Sequence, residues 1–217
     1  MERCRVGVVI PALNEVETIC SVVTEVSQYG IAIVVDDGST DNTGKVAESA
    51  GALVIQTKVN GGYDAALNLG FAHAEKLGCE YIITLDADGQ HDPALVRSFI
   101  AELDAGADLV IGIRDRRQRF AEHIFAWVAA LAWGMRDPLC GAKAYRMDTY
   151  QELGHFDSYN SIGTELAIYS AKRGKRIQQM YVQTRERNDA SRFGWSISAN
   201  QKILRALWRG VLLRAVV

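Results

Sequence analysis

Hydrophobic residues in the first half of the chain come in short β-branched runs, separated by longer mixed stretches. Val6–Ile10 and Ile31–Val35 are apolar from end to end, the pattern of strands covered on both faces. Leu53–Gln56, Tyr81–Leu85 and Leu109–Ile113 read as the third, fourth and fifth strands. The stretches between them predict helices. Asn14 can cap the first, with Glu17 at the capping-box position. Thr40–Ala50 follows, ended by Gly51. Ala65–Leu77 is Ala-rich and closed by Gly78. Pro93–Asp104 carries proline in its first turn. Strands alternating with helices at this spacing predict an α/β fold with a mostly parallel sheet flanked by helices.

The second half is less regular. Phe120–Gly134 reads as an aromatic helix, Asp137–Arg146 as a turn and short strand, Ile162–Arg173 as a helix and Ile177–Val182 as a strand. Ser196–Leu213 reads as an amphipathic helix. Lys202, Arg205 and Arg209 share one of its faces, and Ile197, Leu204, Leu207, Trp208 and Val211 the other. This helix either docks on the core with a basic solvent face or lies on an anionic membrane. No repeat or low-complexity linker interrupts residues 1–217, which predicts a single domain in three parts: 1–113, 114–194 and 195–217.

Composition narrows the class. The chain has 217 residues, 48% of them hydrophobic, which argues for a packed core and against disorder. The longest apolar run, Ile124–Met135, falls short of the ~20 residues that span a bilayer. The N-terminus is too short in apolar length and too polar for a secretory signal. Cys4, Cys20, Cys79 and Cys140 form no C-x-x-C pair, so the expectation is a cytoplasmic protein with reduced thiols. No G-x-G-x-x-G follows the first strand, which disfavours a dinucleotide-binding fold. The formal charge of −2 hides a division. Residues 1–108 carry 17 acidic and 6 basic side chains, a net of −11, and residues 109–217 carry 9 and 18, a net of +9. Halves so different point to different partners, a cation for the first and an anion for the second.

The candidate chemistry sits where strands end. Ligands of parallel sheets bind beyond the carboxyl ends of the strands, and Pro11–Glu15, Asp36–Thr40, Asp86–His91 and Arg114 all lie there. Asp86 and Asp88, at i and i+2 on a turn, can converge on one hard cation, and Gln90 can add a carbonyl oxygen. The same residues also fit a solvated Asp-Gly turn, and the other strand-end motifs favour the metal. Asp37 is placed to accept hydrogen bonds from a base or ribose. The run Arg114–Arg119 is either a solvated loop or a phosphate-steering rim.

Val9-Ile10-Pro11-Ala12-Leu13-Asn14-Glu15, the Asp36–Ser39 segment, Asn60-Gly61-Gly62 and Asp86–His91 resemble, in order and spacing, the family 2 glycosyltransferases of the GT-A fold. Asp137–Arg146, Glu165 and Arg187–Arg192 are similar to later motifs of the dolichyl- and polyprenyl-phosphate sugar (mannose) synthases. The match covers most of residues 6–194. It implies that Pro11, Ala12, Asn14, Glu15, Asp37, Gly62 and Asp86 line the nucleotide-sugar pocket within residues 1–113. Asp86, Asp88 and Gln90 would hold Mg²⁺ or Mn²⁺. Arg114, Arg119, Arg187, Ser191 and Arg192 would meet phosphate or acceptor in residues 114–194. Asp88, Arg114, Asp137 and Glu165 would serve the chemistry. Four positions depart from the pattern: Ala12 replaces a common aromatic, Asp64 a frequent Gly, and Ala190 and Arg192 the Gly and Lys of an R-x-x-G-S-K segment.

The implied reaction is metal-dependent, inverting transfer from a GDP- or UDP-sugar. A polyprenyl or dolichyl phosphate acceptor is already anionic and needs no strong base. A saccharide hydroxyl needs one, and Asp137 and Glu165 are both candidates. A non-catalytic nucleotide-binding protein is the alternative from another class. No nucleic-acid partner is expected. A peripheral position on the cytoplasmic membrane face would suit a lipid acceptor.

Overall fold

A computed structural model describes residues 4–115, 117, 119–183 and 197–212. Seven strands, β1 (Val6–Ala12), β2 (Ile31–Asp36), β3 (Leu53–Gln56), β4 (Tyr81–Thr84), β5 (Leu109–Arg114), β6 (Lys143–Arg146) and β7 (Ile177–Val182), form one sheet in the order β3-β2-β1-β4-β6-β5-β7. All neighbours pair parallel except β6, which runs antiparallel between β4 and β5. The helices are α1 (Ile19–Val26), α2 (Thr43–Ser49), α3 (Tyr63–Lys76), α4 (Leu95–Asp104), α5 (Phe120–Trp133), α6 (Met147–Leu153), α7 (Glu165–Lys172) and α8 (Ile197–Leu212).

Successive side chains of a strand point to opposite faces, and β1 shows the consequence. Val9 enters one apolar cluster with Leu67 and Phe71 of α3, Phe125 of α5 and Ile203 of α8. Val8 and Ile10 enter the other with Ile19 and Val22 of α1 and Val96 and Phe99 of α4. Phe71, Tyr145, Tyr150 and Phe156 pack as an aromatic knot in the first cluster, with ring centroids 4.5–6.3 Å apart. Gly70 lets α3 approach β1, since a Cβ there would stand 2.2 Å from Val9 Cγ1.

Several expectations change. Asn14 does not cap α1, which begins at Ile19. Its backbone is left-handed (φ 51°) and its Oδ1 accepts the Thr40 amide at 2.8 Å, so it braces the β2 loop instead. α2 starts at Thr43 rather than Thr40, because Asp41 takes the Thr43 amide at 2.9 Å. α6 was not legible from periodicity. On α8 the buried line is Ala199, Ile203, Ala206 and Leu207, while Leu204, Trp208, Val211 and Leu212 are exposed. The predicted apolar face therefore divides, with Leu207 inward and Leu204, Trp208 and Val211 outward. Cys4 and Cys79 are joined in a disulfide, with Cα atoms 4.4 Å apart, and only Cys20 and Cys140 are free. The expectation of four reduced thiols is corrected. The parallel pairing of β1 with β4 brings residues 75 apart in sequence together. Among the described residues no helix is long and apolar enough to cross a membrane.

Candidate active site

The chain passes from β1 outward to β2 and β3, then returns to the other side of β1 at β4. The carboxyl ends at this reversal are where such sheets bind ligands, and four loops meet there. After β1, the Asn14 amide donates to Ser39 Oγ and the Glu15 amide to Thr43 Oγ1, so the Pro11–Glu15 turn and the β2 loop are laced together. Asp36 is fully buried, accepting the Ser39 amide and the Gln56 side-chain amide. Asp37 accepts the Gly61 amide at 2.8 Å and the Gly62 amide at 2.7 Å. It thus fixes the Asn60-Gly61-Gly62 turn, where Gly62 has φ 91°. Pro11, Ala12, Asn14, Glu15, Asp37 and Gly62 lie at the end of β1 and on these loops, with Asp37 engaged in shaping the turn at Gly61 and Gly62.

Asp86 follows β4. Its side chain is one-third exposed, and its Oδ2 lies 3.6 Å from Nε2 of the buried His91. Tyr63, first residue of α3, places its hydroxyl 3.5 Å from Asp86 Oδ1. Because β6 is antiparallel, its first residue, Lys143, faces Thr84 at the end of β4. The Lys143 ammonium is buried and donates to the Cys140 carbonyl at 2.5 Å. Burial lowers the Lys143 pKa from its ordinary value. Burial works against the charge of Asp86, but His91, Lys143 and Arg114 outweigh it and hold that carboxyl below its ordinary range. Gly141 is packed flat on Asp86, and a Cβ there would meet Oδ2 at 2.2 Å. Asp88 Oδ1 accepts the Gln90 amide at 3.0 Å, and both residues are partly exposed on the same turn. Among the described residues no three His, Cys, Asp or Glu side chains form a ready-made cage. The oxygen set fits a hard cation that keeps most of its shell for water and phosphate.

Arg114 ends β5 and forms a fork with Asp137, Nε to Oδ2 at 2.8 Å and Nη2 to Oδ1 at 2.9 Å, while its amide takes Oδ2 at 3.1 Å. Burial disfavours the guanidinium charge, but Asp137 more than compensates, so the Arg114 pKa is raised. Glu122, buried on α5, accepts Arg119 at 3.0 Å and lies 3.6 Å from Arg114. Arg117 donates to the Arg136 carbonyl. The described arginines of this run are tied down rather than free in solvent. Cys140, next to this pair, is fully buried, and its thiol pKa is pushed by burial up to about 12, which leaves it inert.

Glu165 opens α7 and is almost completely buried. Its oxygens accept the Ser158 amide at 2.5 Å, the Ser158 hydroxyl at 2.8 and 3.0 Å, and contact His155 Nε2 at 3.0 Å. Arg187, Ser191 and Arg192 lie outside the described residues. Sequence reasoning gave no role to Tyr63, Lys143, Gly141 or Glu122. Lys143 and Gly141 stood inside a quoted motif, but only the direction of β6 turns them towards Asp86. Tyr63 and Glu122 carried no signal.

The glycosyl transferase family 2 model matches residues 7–156. An uncharacterised glycosyltransferase of Mycobacterium tuberculosis is 32% identical over 82% of this chain and 84% of its own length. The polyprenol monophosphomannose synthase of Mycolicibacterium smegmatis is 30% identical over 69% of this chain and 64% of its own. Among solved structures, glucosyl-3-phosphoglycerate synthase from M. tuberculosis, in complex with Mn²⁺, UDP-glucose and phosphoglyceric acid, superposes with a TM-score of 0.79. That match covers 97% of this chain and 81% of the other at 22% identity, a likeness of fold. With this GT-A architecture, the strand-end motifs and the family match over most of its length, the chain belongs to glycosyl transferase family 2.

Proposed function

We propose that the chain transfers a sugar from a nucleoside-diphosphate sugar to a polyprenyl phosphate, with inversion and with Mg²⁺ or Mn²⁺ bound at Asp86, Asp88 and Gln90. The observation that carries the acceptor is the state of the two candidate bases. Asp137 has both oxygens filled by Arg114, and Glu165 has both filled by Ser158 and His155. A hydroxyl acceptor needs a carboxylate free to take its proton. A phosphate monoester brings its own negative oxygen, so the site has only to orient it. Arg114 is suited to that task, its fork held rigid by Asp137 and its side chain 20% exposed. The expected Arg187, Ser191 and Arg192 would add phosphate contacts, and Arg119 stands behind Arg114 through Glu122. The name of the mycolicibacterial relative supports this acceptor class.

The bound cation would neutralise charge on the leaving diphosphate. The chain's own residues do the rest. The Pro11–Glu15 turn and the Asp37–Gly62 clasp shape the nucleotide pocket. Lys143 and His91 keep Asp86 ionised for the cation.

A lipid acceptor also gives meaning to the outer surface. Trp127 and Leu131 of α5 and Trp208, Leu204 and Leu212 of α8 are 41–71% exposed on two helices that pack together. Lys202 and Arg205 stand beside them. Aromatic and aliphatic groups flanked by cations suit the headgroup boundary of an anionic membrane.

Polyprenyl phosphate and a panel of UDP- and GDP-sugars with Mn²⁺ test the reading. Radiolabel is expected in the lipid phase, lost with EDTA and in Asp88→Ala. Transfer to a free saccharide with none to the lipid overturns it. Flotation with anionic liposomes is expected for the chain and not for Trp127→Ser/Trp208→Ser. Equal flotation of both removes the membrane contact.

A further inference from the structure

The loop between α6 and α7 turns six consecutive backbone amides onto carboxylates. Ser158 donates to Glu165. Tyr159, Asn160 and Ser161 donate to Asp157 at 3.2, 2.6 and 2.8 Å. Ile162 and Gly163 donate to Asp64 at 3.0 and 2.6 Å. Glu165 and Asp157 are the loop's sequence neighbours, whereas Asp64 comes from the first turn of α3. The loop is strained. Asn160 and Ile162 both have φ 58°, and a β-branched residue is poorly suited to left-handed backbone. The bonds to Asp64 fall on Ile162 and its successor.

α3 connects this loop to the sugar-nucleotide side. Gly62, just before it, is held by Asp37. Tyr63 faces Asp86, and its ring would meet a Cβ at Gly163 at 3.2 Å. Lys143 Nζ, a second group beside Asp86, would lie 3.8 Å from the same Cβ. One turn on, Asn68 accepts the Phe156 and Asp157 amides and donates to the Asp157 carbonyl. From the other side, Arg209 of α8 donates to the Tyr159 carbonyl.

We propose that Asp64 is a positioning residue for the acceptor: its carboxylate holds loop 158–163 against the start of α3, and so keeps that wall of the site in register with the nucleotide loops. This rests on the acceptor reading above. Asp64 is 8% exposed. The charged and titratable groups around it are Asp157 from the loop, Lys143 from β6, Tyr63 on its own helix and Tyr159. Burial and the Asp157 charge push its pKa up to about 6, against the pull of the two amides and Lys143.

Asp64→Asn keeps the shape and removes the charge. Its sugar-nucleotide KM is expected to stay within about twofold and its acceptor KM to rise about tenfold, the scale of one lost charge-assisted bond. In the free chain, exchange at the Ile162 and Gly163 amides speeds up about tenfold in the variant. An unchanged acceptor KM, or both KM values rising together, overturns the proposal. If polyprenyl phosphate proves not to be the acceptor, the exchange measurement still decides, and unaltered rates overturn it. If that variant does not fold, Asp64→Glu, which keeps the charge and displaces it by one methylene, is measured in its place, and unaltered exchange at the 162 and 163 amides overturns the proposal.

Discussion

Gly141→Ala separates the fold from the metal site proposed at Asp86. Gly141 has no left-handed backbone, so alanine is conformationally acceptable. The added Cβ would stand 2.2 Å from Asp86 Oδ2, 2.6 Å from Oδ1 and 2.7 Å from Cγ. Carbon atoms in contact rest at about 3.5 Å or more, so Asp86 Cγ must retreat by roughly 1 Å. Asp86 can swing without breaking a strand, since its side chain is one-third exposed and lies past the end of β4. The cost therefore falls on ligand geometry. A displacement of about 1 Å in a catalytic constellation costs roughly 100-fold in rate, or about 2.7 kcal/mol at 1.36 kcal/mol per tenfold. The expected result is a chain with nearly unchanged thermal unfolding, a turnover about 100-fold lower and weakened Mn²⁺-dependent nucleotide binding by calorimetry. A well-folded Gly141→Ala chain with wild-type nucleotide affinity and turnover refutes the placement of Asp86 in the metal site.

Asp88→Ala removes a partly exposed carboxylate, so unfolding should shift by less than about 1 kcal/mol while transfer and metal-dependent nucleotide binding disappear; retained transfer in EDTA contradicts this. Thiol titration of the denatured, unreduced chain should find Cys20 and Cys140 alone, and reduction of the Cys4–Cys79 bond should lower stability by about 2–4 kcal/mol; four reactive thiols before reduction contradict it. Asp64 has a folded pKa raised from 3.8 to about 6, so the folded state binds its proton more tightly than the unfolded state. That contribution to stability is full below pH ~4 and lost as pH rises to ~6, amounting to roughly 3 kcal/mol. Urea unfolding of wild type and Asp64→Asn across this range should diverge by that amount, and parallel curves contradict the burial of a titrating Asp64.

The order of strands and helices through β5 was readable because β1, β2, β4 and β5 are covered on both faces and each break carries a turn residue. Val6–Ile10, Ile31–Val35 and Leu53–Gln56 hardly admit another reading. The strand-end motifs were readable for the same reason, since a parallel sheet puts its loops at one edge. Charge division was silent about contacts. Many of the acidic and basic groups it counted are engaged with one another or with backbone.

Local sequence determined the strands, most helices, the family and the identity of the strand-end carboxylates. Tertiary structure decided what each of the site's carboxylates is engaged with. Asp137 is the partner of Arg114 only because β5 delivers the arginine to the turn after α5. Glu165 is filled only because the loop before α7 folds back on it. Lys143 and Gly141 reach Asp86 only because β6 enters the sheet antiparallel. Asp64 grips amides almost a hundred residues away. Periodicity reports what a residue presents to its own strand or helix. It holds no record of strand direction or long-range pairing, and in this chain those two choices set the charge, access and reach of the site.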